Sequence, residues 1–237
     1  MTRMVRQLAL LCAMLMALPA IAGKDADHYS AMTYNIRLDL ASDDANSWPH
    51  RRSALTSLIA YYAPDIIGLQ EVLLHQKQGI DADLLEYRFV GVARDDGKEA
   101  GEFSPVGYRY DRFHLRDSGT FWLSPTPDTP GKGWDAAYPR IASWARLKDR
   151  KNKRELLVVN THFDHVGEVA RLESARQIRR WIAEHRKRND AVILLGDFNA
   201  PTESPAYRAI VDITGDGTAL YDASGMSDSP HFGPRGR

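Results

Sequence analysis

Four short apolar runs each deliver side chains that bind metals or phosphates. Ser30 to Tyr34 leads to Asn35, and Asp65 to Gln70 leads to Glu71. Leu156 to Thr161 leads to His162, with Asp164 and His165 just behind. Ala191 to Gly196 leads to Asp197 and Asn199. A carboxylate at the end of an apolar strand is costly to bury without a partner. A hard divalent cation is one such partner, and magnesium is often held by only one or two carboxylates, with waters and phosphate completing its shell. Taken alone, Glu71 reads as a surface acid just past a strand. Asp197 could bind a metal or take a proton from an attacking water. Asn199 could donate to a phosphate oxygen and orient that water, and Asn35 is a second neutral donor and acceptor. His162 offers a ring N–H to charge developing on phosphate. The His162-x-x-His165 pair would suit zinc only with a third protein ligand at a matching spacing, and the chain has none.

The elements that must hold these groups follow from periodicity. The second, third and fourth runs are short, continuous and rich in branched residues, which predicts buried strands. Polar groups gathered at one edge of packed strands are how many α/β proteins build a site. Leu55, Leu58, Ile59 and Tyr62 predict a helix over 51–62, stopped by Pro64. Val169, Leu172, Ala175, Ile178, Trp181, Ile182 and His185 predict a core stripe on a helix over 168–188, with mixed charges on its solvated side. Ser204-Pro205 pairs a cap with a first-turn proline and predicts a helix over 206–212. Residues 89–93, 106–110, 113–115, 120–123 and 142–147 suit antiparallel strands, with 95–101 as an exposed turn. Trp122 and Trp134 could stack a base or a sugar, although packing is the commoner use of such rings.

Composition narrows the function classes. The 237 residues carry 31 basic and 31 acidic side chains, so no strong positive field marks a protein that grips nucleic acid by charge. One cysteine excludes a disulfide framework and a cysteine zinc site. Residues 1–22 have the layout of a secretory signal peptide: Arg3 and Arg6, an apolar run from Leu8 to Leu18, then small residues at Ala20 and Ala22. That run is shorter than the ~20 residues a membrane span needs. The expectation is one domain over 23–237, secreted or periplasmic, monomeric, with no transmembrane segment once the leader is removed.

Together these residues carry a resemblance. Thr33-Tyr34-Asn35-Ile36-Arg37, Gly68-Leu69-Gln70-Glu71-Val72, Asn160-Thr161-His162-Phe163-Asp164-His165 and Gly196-Asp197-Phe198-Asn199-Ala200 look like the ordered motifs of the endonuclease/exonuclease/phosphatase superfamily. That group includes pancreatic deoxyribonuclease and the abasic-site endonucleases. Trp48-Pro49-His50-Arg51-Arg52 and Ser118-Gly119-Thr120-Phe121-Trp122-Leu123-Ser124 are similar to a bacterial, often secreted branch.

The resemblance implies an α/β fold, a four-layer sandwich of two packed mixed sheets with helices outside. It implies hydrolysis of phosphate esters with Mg2+ or Mn2+, foremost of phosphodiesters; the substrate is a nucleic acid, a phospholipid headgroup or a sugar phosphate. By this likeness Glu71 and Asn35 hold the metal, and His162, Asp197 and Asn199 are catalytic. Asn35, Arg140 and Tyr108 contact substrate. The superfamily pattern continues to a Ser-Asp-His segment that has no clear counterpart here; Ser227-Asp228-Ser229-Pro230-His231 has the residue types but reads as a turn. The expectation is a domain truncated at its C-terminus. The alternative function is an impaired member that at most binds phosphorylated ligands.

Overall fold

The computed structural model describes residues 28–211 and 220–223. The expected leader at 1–22 and the segment Ser227 to His231 lie outside the described residues. The elements run β1 (Ala31–Asn35), a 3-10 turn (Ala41–Asn46), α1 (Trp48–Tyr62), β2 (Ile66–Gln70), α2 (Leu74–Asp83), β3 (Tyr87–Val90) and β4 (Val106–Arg109). Then follow β5 (Phe113–Trp122), β6 (Ile141–Asp149), β7 (Glu155–His162), α3 (Glu168–His185), β8 (Ala191–Asp197) and α4 (Pro205–Val211). The strands make two four-stranded sheets, ordered β1-β2-β4-β3 and β5-β6-β7-β8. Each is mixed: β1–β2 and β7–β8 are parallel, and the other pairs are antiparallel.

Strand alternation sends side chains to opposite faces, and the core accordingly divides into three layers of contact. Ile67 and Leu69 of β2 point to one side and pack with Leu55 and Ile59 of α1 and Ile80 of α2. Ile66, Val106, Phe113, Leu147, Leu156 and Val158 fill the space between the sheets. Val159 and Ala142 point outward again, onto Ala175, Ile178 and Ile182 of α3 and Ile210 of α4. Three interfaces make four layers, as the resemblance implies. No helix among the described residues is long and apolar enough to cross a membrane.

Several elements differ from expectation. Helix α1 starts at Trp48, with a proline in its first turn, and it ends at Ala63 in a left-handed conformation before Pro64 is reached. Helix α2 was not expected. Helix α3 ends at His185, and its buried stripe is Ala170, Ser174, Ala175, Ile178 and Ile182, while Val169 is exposed. The two short strands at 113–115 and 120–123 are one ten-residue strand with an irregularity between Leu115 and Asp117. Strand β8 is only half-buried along its whole length. Among the described residues it pairs only with β7, as β1 pairs only with β2. They lie against each other across the sandwich. At α4, the Ser204 hydroxyl does accept from the Tyr207 backbone N–H at 3.1 Å, the capping bond its sequence predicts.

Candidate active site

Register brings the strand-end groups together. In the first sheet Asn35 sits opposite Gln70, with Glu71 next. In the second His162 sits opposite Asp197. Because β1 lies against β8, these two pairs of ends form one cluster. The sheets are pinned beneath it by a buried amide. Asn160 Nδ2 donates to the carbonyls of Leu69 at 2.8 Å and Pro105 at 3.0 Å, and Asn160 Oδ1 accepts from Gln70 Nε2 at 2.8 Å. Gly68 leaves room for that amide; a Cβ there would lie 2.4 Å from Asn160 Oδ1.

The backbone is strained at the same place. Glu71 has φ 59°, Arg37 φ 59° and Asn199 φ 44°. Left-handed conformations are uncommon outside glycine and persist where surroundings over-determine them, as they do at functional sites.

One half of the cluster is acidic. Asn35 Nδ2 donates to Glu71 Oε1 at 2.7 Å and to Asp197 Oδ2 at 3.0 Å. Glu71 Oε2 also accepts from the Leu38 backbone N–H at 3.0 Å. A cavity of ≈ 340 Å³ opens beside these groups, lined by Asn35, Gln70, Asp197 and Asn199 among others.

The other half gathers a histidine and two guanidinium groups and is largely buried. Asn199 Nδ2 donates to His162 Nε2 at 3.0 Å and to the Phe163 carbonyl at 3.0 Å. An acceptor at Nε2 puts the neutral ring's proton on Nδ1. Burial, reinforced by the nearby Arg140 charge, lowers the His162 pKa to about 4, so the ring is neutral near pH 7. Arg140 Nε donates to Asp164 Oδ2 at 3.2 Å, and its Nη2 lies 3.1 Å from His165 Nδ1. Burial alone would raise the Asp164 carboxyl, but N–H donors from Gly167, Ala137, Val166 and Arg140 hold it well below the usual carboxylate range.

Two residues that the sequence reading missed complete this half. Arg94 Nη2 pairs with Glu102 Oε1 at 2.9 Å, and Glu102 Oε2 lies 3.9 Å from His162 Nδ1. Burial raises the Glu102 pKa, against the pull of Arg94 and Arg140. The Arg94 guanidinium also stands 5.1 Å from the Tyr138 ring centre. Buried polar atoms normally find partners. Among the described residues, Arg94 Nε, Arg140 Nη1 and His162 Nδ1 are buried without a hydrogen bond.

Of the seven residues singled out from the sequence, six come to this end of the sandwich: Asn35, Glu71, His162, Asp197, Asn199 and Arg140. Tyr108 does not. It sits opposite Ile66, at the other end of β2 from Glu71, and is 6% exposed within the core between the sheets. Its position in the strand alternation turns it inward, which corrects its expected role on substrate.

Among the described residues no three His, Cys, Asp or Glu gather closely enough to hold an ion by themselves. The donors still suit magnesium or manganese. Glu71 and Asp197 supply two carboxylates that share one amide donor, and such ions commonly take only one or two carboxylates from the protein. The His162/His165 pair does not suit zinc, since the acceptor nitrogens Nε2 of His162 and Nδ1 of His165 are engaged by Asn199 and Arg140.

Comparison with known proteins agrees with this geometry. A family model described as Endonuclease/Exonuclease/phosphatase family matches residues 32–237. A Bacteroides thetaiotaomicron structure described as a mannosyl-6-phosphatase is 41% identical, with TM-score 0.75 over 78% of this chain and 70% of that one. A Bacteroides vulgatus endonuclease/exonuclease/phosphatase structure is 44% identical, with TM-score 0.75 over 78% and 71%. Nocturnin of Drosophila melanogaster is 25% identical over 205 residues, covering 76% of this chain; the chain spans only 29% of that protein's length.

Proposed function

The chain belongs to the endonuclease/exonuclease/phosphatase family, and on that premise we propose that it is a phosphoesterase dependent on a divalent cation, Mg2+ or Mn2+. Glu71 and Asp197, joined by Asn35, would hold the cation. When bound, such an ion neutralises charge on phosphoryl oxygens. The chain's own residues do the rest. His162 and Arg140 hold the phosphate and meet the charge that grows on it, as preorganised donors do most effectively in a water-poor site, and Asn199 positions the His162 ring by donating to its Nε2. Asp197 orients the attacking water and takes its proton.

The observation that carries this reading is the set of three buried donors, Arg94 Nε, Arg140 Nη1 and His162 Nδ1, that lack hydrogen-bond partners beside two carboxylates. The motif resemblance favours a diester. Several donors with two guanidinium groups among them suit a terminal phosphate better, because a monoester carries about −1.5 to −2 charge near neutral pH and three acceptor oxygens. The sugar-phosphatase neighbour supports the same choice, so we favour a phosphate monoester on a sugar. The leader pattern of residues 1–22 supports export to the periplasm or medium.

The test is hydrolysis of a hexose 6-phosphate, p-nitrophenyl phosphate and bis-p-nitrophenyl phosphate with Mg2+ or Mn2+, with and without EDTA. Metal-dependent turnover, fastest on the monoesters and lost in Glu71→Gln, is expected. Turnover that survives both EDTA and Glu71→Gln would falsify the metal reading. Phosphate binding without turnover on any ester would leave only the alternative, a binding protein.

A further inference from the structure

We propose that a second cavity, on the outer face of the second sheet, is a binding site for a neutral saccharide. The cavity has a volume of ≈ 380 Å³ and lies between α3 and the loop after β5. That is the size of a small ligand pocket. Trp134, Pro127, Gln177, Arg180, Trp181 and Glu184 are among its walls.

Its aromatic surface is one-sided. Trp181 already stacks with Phe121 (ring centres 5.1 Å apart, 22° between planes) and with His185 (4.2 Å, 11°). Trp134 remains as the open ring, 38% exposed. It is held there under strain, at φ 51°, a conformation that a bulky residue adopts only when its surroundings insist. The preceding residue, Gly133, lies close against the chain after β5, where a Cβ would stand 2.3 Å from the Leu123 carbonyl oxygen.

The polar groups are unsatisfied in a matching way. Gln177 Nε2 donates to the Trp122 carbonyl at 3.0 Å, while its buried Oε1 has no hydrogen-bond partner among the described residues. Arg180 and Glu184 stand one turn apart on α3 and carry opposite charges. Among the described residues they neither pair with each other nor bond to anything else. The cavity thus offers donors, acceptors, one aromatic face and no net charge.

A neutral pyranose answers each of these features. Its hydroxyls donate and accept, and its C–H face rests on a single indole. A nucleobase clamped between two rings would need a second free aromatic face, which Trp181 lacks. An alkyl chain would leave Gln177 Oε1 buried and unpaired, at a cost of about 1–3 kcal/mol.

The elements around the cavity also contribute to the candidate active site. Phe121 lines it, while the next residue, Trp122, donates its indole N–H to the Arg94 carbonyl on the other side of the strand at 2.7 Å. The loop that carries Trp134 goes on to Tyr138 and Arg140. One loop therefore contributes residues to both places. Sugar binding here does not depend on the sugar-phosphatase reading.

The test titrates the unphosphorylated trisaccharides mannotriose, maltotriose and cellotriose into the full chain. Indole fluorescence and NMR line shifts report binding, with adenosine and a proline-rich decapeptide as probes of other ligand classes. At least one trisaccharide is expected to bind with Kd on the order of 1 mM or tighter. Trp134→Ala and, separately, Glu184→Gln should weaken it at least tenfold while hexose 6-phosphate hydrolysis stays unchanged. The subsite is overturned if no trisaccharide binds, if binding survives both substitutions, or if only adenosine or the peptide binds. Hydrolysis that fails on every phosphate while the trisaccharide still binds at Trp134 removes the phosphatase reading and leaves the subsite standing.

Discussion

Glu71 and Asp197 leave strands of different sheets, yet both carboxylates reach the same nitrogen, Asn35 Nδ2, at 2.7 and 3.0 Å. Two like charges drawn to one neutral donor form a place where a cation is welcome. The amide sets their spacing before any ion arrives.

Asn35→Ala should therefore loosen both carboxylates. An outer partner of a metal ligand is typically worth 10- to 100-fold in affinity. Titration of Mn2+ by calorimetry should show a loss of that size, with the circular dichroism spectrum unchanged. Affinity within twofold of the parent would remove Asn35 from this role.

Arg94→Met should lower kcat/KM on a phosphomonoester by roughly 10- to 100-fold, since a charge-assisted hydrogen bond contributes about 1.5–3 kcal/mol. Arg94→Lys keeps the charge but not the forked donor, and should recover only part of it. A diester, with fewer free oxygens, should lose less. Equal losses on both ester types would show that Arg94 does not read the terminal phosphate.

The low His162 pKa makes a stability prediction for the metal-free protein. The folded ring titrates at about 4, and the unfolded ring near 6.5. Between these values the unfolded chain binds more protons, so stability falls as pH drops from about 6.5 to 4 and this loss then levels off. The effect is a few kcal/mol at most, on the scale of about 1.4 kcal/mol per pKa unit. His162→Gln should flatten that part of the profile in urea titrations at stepped pH. An unchanged slope would mean the ring charges freely in the folded state.

Gly68→Ala should cost about 1–3 kcal/mol, the usual penalty for overfilling a packed interior. The added carbon meets Asn160 Oδ1 at 2.4 Å and Leu195 Cβ at 2.9 Å, both deep between the sheets. A urea midpoint equal to the parent's would show that the sheets can part locally at no cost.

The sequence disclosed the strand-end groups because a buried strand is a local signal: an apolar run followed at once by Glu71, or by Asp197 and Asn199. It did not disclose Arg94 and Glu102. They flank a polar stretch, 95–101, that is indeed an exposed turn, so their charges read as part of it; only the folded loop sends both side chains inward. Tyr108 was misplaced because residue type says nothing about which way a strand faces. Helix α2 escaped notice because Gly79 and the glutamines dilute its apolar pattern. Strand β5 looked like two pieces because its middle is exposed and polar.

Asn160 has one more implication. Its amide ties β7 to the carbonyl of Leu69, two residues before Glu71, and it lies two residues before His162 itself. The carboxylate half and the arginine–histidine half of the site are thereby indexed to each other through the middle of the protein, like two rulers fixed at one mark. Sliding of one sheet past the other is opposed by these bonds. Adaptation to new substrates is left to the loops, which can lengthen or change without disturbing the distance between the carboxylates and the phosphate-holding groups.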